Sequence, residues 1–410
     1  MKYIYKIRLT FFLILTIIFT IQSFIKPQTN KNSFLVRVLL EEKNSLKKTF
    51  FKIEAEKGII LTSPHSNKKF FTKQDKIKIF IEDNNIYIPL LNKKSNQIKI
   101  KKIKSKELKI TSINDFIKIN NNTYQGNLKF KIEEKNNNYL IINTLSLEDY
   151  VYYVLPSEIY PSWPEEMRKV QAVVSRSYAL YYINQVKKNK NNQRPYDLKR
   201  NNFHQTYNGF HEYYYLKKAI EDTKDMILIY NGQIALTMFD ACCGGIVTSK
   251  MSNINFSKAP YLARDYTCNF CKNYKLYKWK KIIPETIFLN ILKNDQKFKN
   301  KFKNCGKLKK VYVAKKDKSG ITQKIRIVFS KKIISISGND LWESMKNKIK
   351  SLSFQIKKSG NKIIIEGKGF GHQIGLCQRG ARLLVDWGWK FKNILKFYYP
   401  NTKFARLKHA

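Results

Sequence analysis

The stretch that most constrains this chain is Leu155-Pro156-Ser157-Glu158-Ile159-Tyr160-Pro161-Ser162-Trp163-Pro164-Glu165-Glu166, set between two helical patterns. Its three prolines fix φ and withdraw backbone donors, so the segment reads as a stiff turn. On the N-terminal side, Ser146 and Asp149 make a capping-box-like start to a helix over 147–154. On the C-terminal side, Ser162 and Glu165 make a fuller one, with Pro164 in the first turn, where proline is tolerated. Met167, Val170, Val174 and Tyr181 then recur at helical spacing and predict a buried stripe. Gln171, Ser175, Tyr178 and Tyr182 share a neighbouring face that can turn toward Glu158. Glu165 and Glu166 serve the helix start, which leaves Glu158 with no structural task. Tyr160 and Trp163 lower the polarity around it, raising a carboxyl pKa as a general acid requires, and such rings also stack on sugars.

The rest of the chain divides around that segment. Lys2, Lys6 and Arg8 precede an apolar run from Leu9 to Ile21, the pattern of an export signal. No small-x-small cleavage site follows, so residues 1–25 read as either a cleaved signal peptide or a membrane anchor with its basic end inside. The bulk of the protein is then expected outside the cytoplasm, facing the periplasm or cell wall. Residues 26–33 read as a polar linker. From 34 to 142, short alternating strands separated by Asn, Lys and Asp turns predict a β-rich region. Its one histidine, His65, has the setting of a surface turn. From Ser146 onward helices join short sheets: a helix over 213–223, an Asn-Gly hairpin over 227–235, a strand over 333–338, a helix over 340–350, and two closing helices from about 381 and through 394–399. The expected fold class is α+β, with residues 143–403 as the chemistry-bearing region.

A formal net charge of +48 first suggests nucleic acid, but the lysines run from end to end and fall inside strands such as Ile98-Lys99-Ile100-Lys101. No helix-turn-helix, zinc-finger or RNA-motif pattern accompanies them, and export argues against a genome. Affinity for an acidic polymer or surface is the better reading.

Two further clusters carry chemistry. The turn Gly367-Lys368-Gly369-Phe370-Gly371-His372-Gln373-Ile374-Gly375 has Ile374 where a dinucleotide fingerprint needs its third glycine, and no phosphate loop follows. It reads as a tight loop that lets a glycan or a strand approach the backbone, presenting His372 and Gln378 as polar contacts or holding His372 in a structural hydrogen bond. Cys242 and Cys243 with Cys268-Asn269-Phe270-Cys271 can supply four thiolates to a structural zinc, and suit disulfides of an exported protein equally well. Cys305 and Cys377 stand apart from that set.

Taken in order, Leu147-Glu148-Asp149-Tyr150, Pro156-Ser157-Glu158, Trp163-Pro164, Lys169 through Leu180, Gln205-Thr206-Tyr207-Asn208-Gly209, Cys243-Gly244-Gly245, Gly369-Phe370-Gly371-His372, Gly375 through Ala381 and Tyr398-Tyr399-Pro400-Asn401-Thr402 resemble the SpoIID/LytB family, which includes amidase enhancers. The resemblance implies a peptidoglycan lytic transglycosylase of cell-wall remodelling in division or sporulation. Such an enzyme cuts denuded glycan strands at the MurNAc–GlcNAc bond, with Glu158 as the single acid/base and no cofactor in the reaction. It implies cleft or supporting roles for Ser157, Tyr160, Trp163, Gln171, Arg176, Tyr207, His372 and Gln378. Expected partners are glycan strands and an amidase or remodelling complex, with the membrane reached through the N-terminal segment. The rival is a non-catalytic glycan-binding protein that recruits an amidase. Two departures stand out: the segment before Gln205, where some members hold zinc through His and Cys, offers His204 alone. Cys377 and Arg379 replace a small polar residue and an aromatic in the final motif.

Overall fold

The computed structural model describes residues 34–408, apart from 65, 73–75, 93–96, 190–193, 253, 299 and 346–347. The expected signal or anchor, the linker and His65 lie outside the described residues. Among the described residues no helix is long and apolar enough to cross a membrane. The architecture is α+β, as the sequence pattern implied.

The N-terminal strands form two antiparallel-rich sheets. One has seven strands, in the order Leu198–Lys199, Leu35–Asn44, Asn138–Ser146, Asn127–Glu133, Glu107–Ser112, Ile59–Ser63 and Ser66–Thr72. The other has six, running from Asn122–Gln125 to Gln97–Lys102. Period-two alternation builds the shared core: Leu128, Phe130 and Ile132 point in, while Lys129 and Lys131 point out to Glu107. Phe51 of the six-stranded sheet meets Phe130 and Tyr139 of the other edge-on. Much of the lysine content is thus the solvated face of alternating strands.

The strand Asn138–Ser146 runs directly into helix α1 (Leu147–Glu158), which packs on α2 (Glu165–Lys188). Ser146 caps α1 by accepting from the Asp149 N–H at 3.1 Å. The second expected cap does not form: Pro164 is the N-cap of α2 and Ser162 stays exposed. Nor does α2 bury a narrow stripe. Residues 170–180 are buried on every face, while Tyr181 is only half-buried. The reason is its position: α2 also packs against α3 (Leu216–Asp222), the strand Met226–Tyr230 and the two closing helices. A separate core forms between the sheets that contain Lys278–Pro284 and Leu308–Lys316, centred on Trp279, Phe288, Ile325 and Ile363. It carries α4 (Glu285–Asn294) and α5 (Gly338–Ser344), the latter shorter than its sequence pattern suggests. Helices α6 (Gln378–Asp386) and α7 (Phe391–Tyr398) then return to the α2 side.

Candidate active site

Glu158 lies in the last turn of α1, because the helix continues through Pro156 instead of stopping at Val154. Proline there removes the N–H that would bond the Tyr152 carbonyl. His211 replaces it: Nε2 lies 2.9 Å from the Tyr152 oxygen, while Nδ1 accepts from the Tyr213 N–H, so Nε2 is the donor. The prolines that suggested a turn therefore stiffen the end of a helix.

That placement isolates the Glu158 carboxyl. The residue is half-buried, and desolvation raises its pKa above the usual carboxylate range; hydrogen bonds to Thr206 act in the opposite direction and are outweighed. Oε1 accepts from the Thr206 N–H at 2.5 Å. The C-terminal end of a helix dipole disfavours a negative charge further. Beneath lie the buried rings of Tyr150 and Tyr178, both close enough to feel the Glu158 charge. The face of α2 that carries Gln171, Ser175 and Tyr178 does turn toward Glu158.

Glu158 opens into a cleft of about 290 Å³ walled by Ser157, Tyr160, Trp163, Tyr274, Gln378 and Arg379. Among the described residues lining it, Glu158 is the one carboxylate. Gln378 joins the two sides: its Nε2 donates to the Glu158 carbonyl at 3.0 Å and faces the Gln171 amide oxygen at 3.3 Å. The Asn208 amide donates to Ser157 Oγ at 3.0 Å. The Arg379 guanidinium sits 5.1 Å from the ring centres of Tyr160 and Trp163 and 4.4 Å from that of Tyr274.

Four residues expected at the site lie away from the cleft wall: Gln171, fully buried behind Gln378, and three others. Arg176 is fully buried and clamps Glu148 through two hydrogen bonds of 2.8 and 2.6 Å, with a third to the Met226 carbonyl. Tyr207 is fully buried and donates to Asn143 at 2.6 Å. Both support the site from beneath. His372 accepts from the Ile374 N–H and is held neutral by burial, its pKa pushed down to about 4, which is the structural reading of that histidine. The strand that approaches the glycine turn belongs to the protein itself: Cys242 and Phe370 exchange backbone hydrogen bonds of 3.1 and 2.7 Å. A side chain at Gly244 would strike the Gly369 nitrogen at 2.8 Å.

The thiol set also changes membership. Cys243, Cys268, Cys271 and Cys377 bring their sulfurs within 4.8 Å of one another, and Cys242 is not among them. Cys242 packs beside Cys271 and Cys377 without joining the four mutually close sulfurs. His204 is buried, accepts from the Lys199 N–H, and belongs to no group of three metal-capable side chains among the described residues.

Comparison with known proteins gives this arrangement its lineage. The SpoIID family, described as Stage II sporulation protein, matches residues 135–230, and the Domain of unknown function (DUF8618) matches residues 201–375. An uncharacterized protein of Brachyspira hyodysenteriae is 34% identical over 287 residues, covering 70% of this chain and 73% of that one. The amidase enhancer of Bacillus subtilis is 27% identical over 289 residues, which cover 61% of this chain and 39% of the enhancer. Stage II sporulation protein D of the same organism is 31% identical over 71 residues, 17% of this chain and 20% of that protein. The chain belongs to the SpoIID/LytB family.

The SpoIID match contains Glu158, Gln171, Arg176 and Tyr207, whereas Gln378 and Arg379 lie beyond both matched regions. Sequence reasoning missed Thr206 as a partner of Glu158 and Tyr274, Ala241 and Phe370 as cleft residues. Thr206 and Phe370 stood inside recognised motifs. Tyr274 lies three residues past Cys271 in an irregular loop, where no periodicity marks a wall.

Proposed function

We propose that this protein is a cell-wall lytic transglycosylase that cuts the MurNAc–GlcNAc bond of denuded glycan strands. The observation that carries the reading is a single desolvated carboxyl, Glu158, in a cleft edged by Tyr160, Trp163 and Tyr274. A glycoside hydrolase of the usual kind needs a second carboxylate about 5–10 Å away to activate water or form a covalent intermediate. A transglycosylase needs one, because the substrate supplies its own nucleophile.

In the proposed reaction, protonated Glu158 gives its proton to the glycosidic oxygen as the C1–O bond breaks and positive charge develops at C1. The resulting carboxylate takes the proton of the C6 hydroxyl, whose oxygen closes on C1 to form the 1,6-anhydro ring. Glu158 ends protonated, as it began. Burial that raises its pKa keeps the acid form populated at the start of the cycle. Thr206 fixes Oε1, which leaves Oε2 to face the bond being cut. Gln378 ties the end of α1 to α2 and so holds the carboxyl in place. Arg379 adds a cation to the aromatic wall, suited to the lactyl carboxylate that a muramyl residue exposes once its peptide is gone.

One observation favours a second reading. A relative is named an amidase enhancer, which fits a glycan-binding protein that recruits an amidase without cutting. The protein's action outside the cytoplasm belongs to both readings. Incubating purified protein with denuded strands and weighing the fragments separates them. Ends lighter than reducing ends by one water are expected; reducing ends would indicate hydrolysis, and binding without fragments would establish the recruiting role.

A further inference from the structure

We propose that Cys243, Cys268, Cys271 and Cys377 hold one zinc ion as a tetrathiolate site that knits together the cleft wall facing Glu158. The four sulfurs lie within 4.8 Å of one another, and Cys243 and Cys271 are 3.7 Å apart. Four sulfurs about 2.3 Å from a tetrahedral zinc are about 3.8 Å from each other. That spacing fits sulfurs sharing an ion and is far longer than the roughly 2.05 Å of a disulfide. All four cysteines are buried.

The surroundings suit thiolates. The Gly380 N–H and the Cys243 N–H both point to Cys377 Sγ, at 3.4 and 3.3 Å, and Tyr398 Oη lies 3.0 Å from Cys268 Sγ. Such outer contacts orient and tune metal ligands. A side chain at Gly380 would come within 2.5 Å of Cys268 Sγ, so the glycine leaves room for the sulfur. A separate observation asks for negative charge here. Arg264 is 1% exposed, and none of its three guanidinium nitrogens has a hydrogen-bond partner. It lies 5.3 Å over the ring of Tyr398, the residue that touches Cys268. The buried Asp240 carboxyl feels this cation without a hydrogen bond to it, and a buried cation with no hydrogen-bonded partner is strongly unfavourable. Four thiolates around zinc carry a net charge of −2 and add counter-charge for it; two disulfides carry none.

The ligands come from three separated stretches, and each adjoins the cleft. Cys243 follows Ala241, Cys271 precedes Tyr274, and Cys377 caps α6 directly before Gln378 and Arg379. The metal would fix the wall that the short strands and turns of this region define only loosely. The proposal does not rest on what the cleft cuts.

The test is metal and thiol content of the full-length protein, purified without chelator or added zinc. About one zinc per chain is expected, with all six thiols free after denaturation in EDTA without reductant. Cys377→Ser and Cys268→Ser should each lower bound zinc at least tenfold, and Cys242→Ser should leave it unchanged. Cobalt(II) exchanged into the wild type should show thiolate charge-transfer and tetrahedral visible bands, a readout independent of whether any variant folds. Absence of zinc, bridges detected by intact mass, or Cys242→Ser losing zinc as fully as Cys377→Ser would overturn the site.

Discussion

The end of α1 and the start of α2 treat a glutamate in opposite ways, although only residues 159–164 separate them. Glu158 sits at a helix C-terminus, desolvated and with no cation among its pKa determinants, so its proton is held more tightly than usual. Glu165 sits at a helix N-terminus, pairs with Lys169 and Lys218, and has its pKa lowered to about 2. Helix polarity, solvent and partner charge all act against ionisation at one and for it at the other. The linkage follows the same signs. Glu158 favours folding at acid pH, and its contribution is lost as pH rises through its folded pKa. Glu165 favours folding above its unfolded pKa and loses that contribution as pH falls toward about 2. The residue that burdens stability at neutral pH is the one suited to chemistry.

Glu158→Gln breaks the comparison most severely. The amide keeps the shape and the acceptor for Thr206 but has no proton to exchange, so cutting of denuded strands should fall by about 10²–10⁴. Product mass against time measures it. The variant should also melt no lower than wild type above neutral pH, because it removes a carboxyl whose ionisation opposes folding. Undiminished cutting would refute the assignment.

The ion pair beneath the site comes next. Glu148→Ala leaves Arg176 fully buried without its carboxylate, and should cost about 3 kcal/mol in a denaturant midpoint. Since Arg176 supports from beneath, the pH profile of whatever cutting survives should keep its shape. A shifted profile would place the pair in the reaction itself.

How far the sequence carried these readings depended on locality. Alternation in Leu128-Lys129-Phe130-Lys131-Ile132 and the Asn231-Gly232 turn are local, and the strands and hairpin formed where expected. The Ser162–Glu165 cap failed because Pro164 itself takes the cap position, which a pattern of residue types cannot weigh against tertiary packing. The extension of α1 through Pro156 depended on His211, distant in sequence, satisfying the freed carbonyl. The same holds for the thiols. Cys-x-x-Cys spacing located two members, but replacing Cys242 by Cys377 required the pairing of Phe239-Asp240 with Leu376-Cys377. Glu158 was legible because its rings and prolines were its near neighbours; Thr206, Tyr274 and Arg379 reached it through the fold.

Arg379→Met tests the opposite wall. It keeps length and apolar contact with the three rings while removing the cation. On denuded strands KM should rise about tenfold with little change in kcat, the size of one charge-assisted contact. On strands that retain their peptides, whose lactyl group is an amide, wild type and variant should differ less. Equal losses on both would assign Arg379 to packing.

The smallest effect is expected at Glu165, and it sharpens the comparison most directly. Glu165→Gln removes an ion pair with solvated Lys218 and an i,i+4 pair with the more covered Lys169, and such helix-surface pairs are worth little. Lys169 also keeps Asp222 at 2.8 Å, so the cation is not stranded. Stability at pH 7 should fall by no more than about 0.5 kcal/mol, less at high salt, and glycan cutting should be unchanged. Because this glutamate ionises so readily, it has no proton to give at neutral pH. A tenfold loss of cutting in Glu165→Gln, with Glu158→Gln still active, would move the acid from the end of α1 to the start of α2 and reverse the assignment.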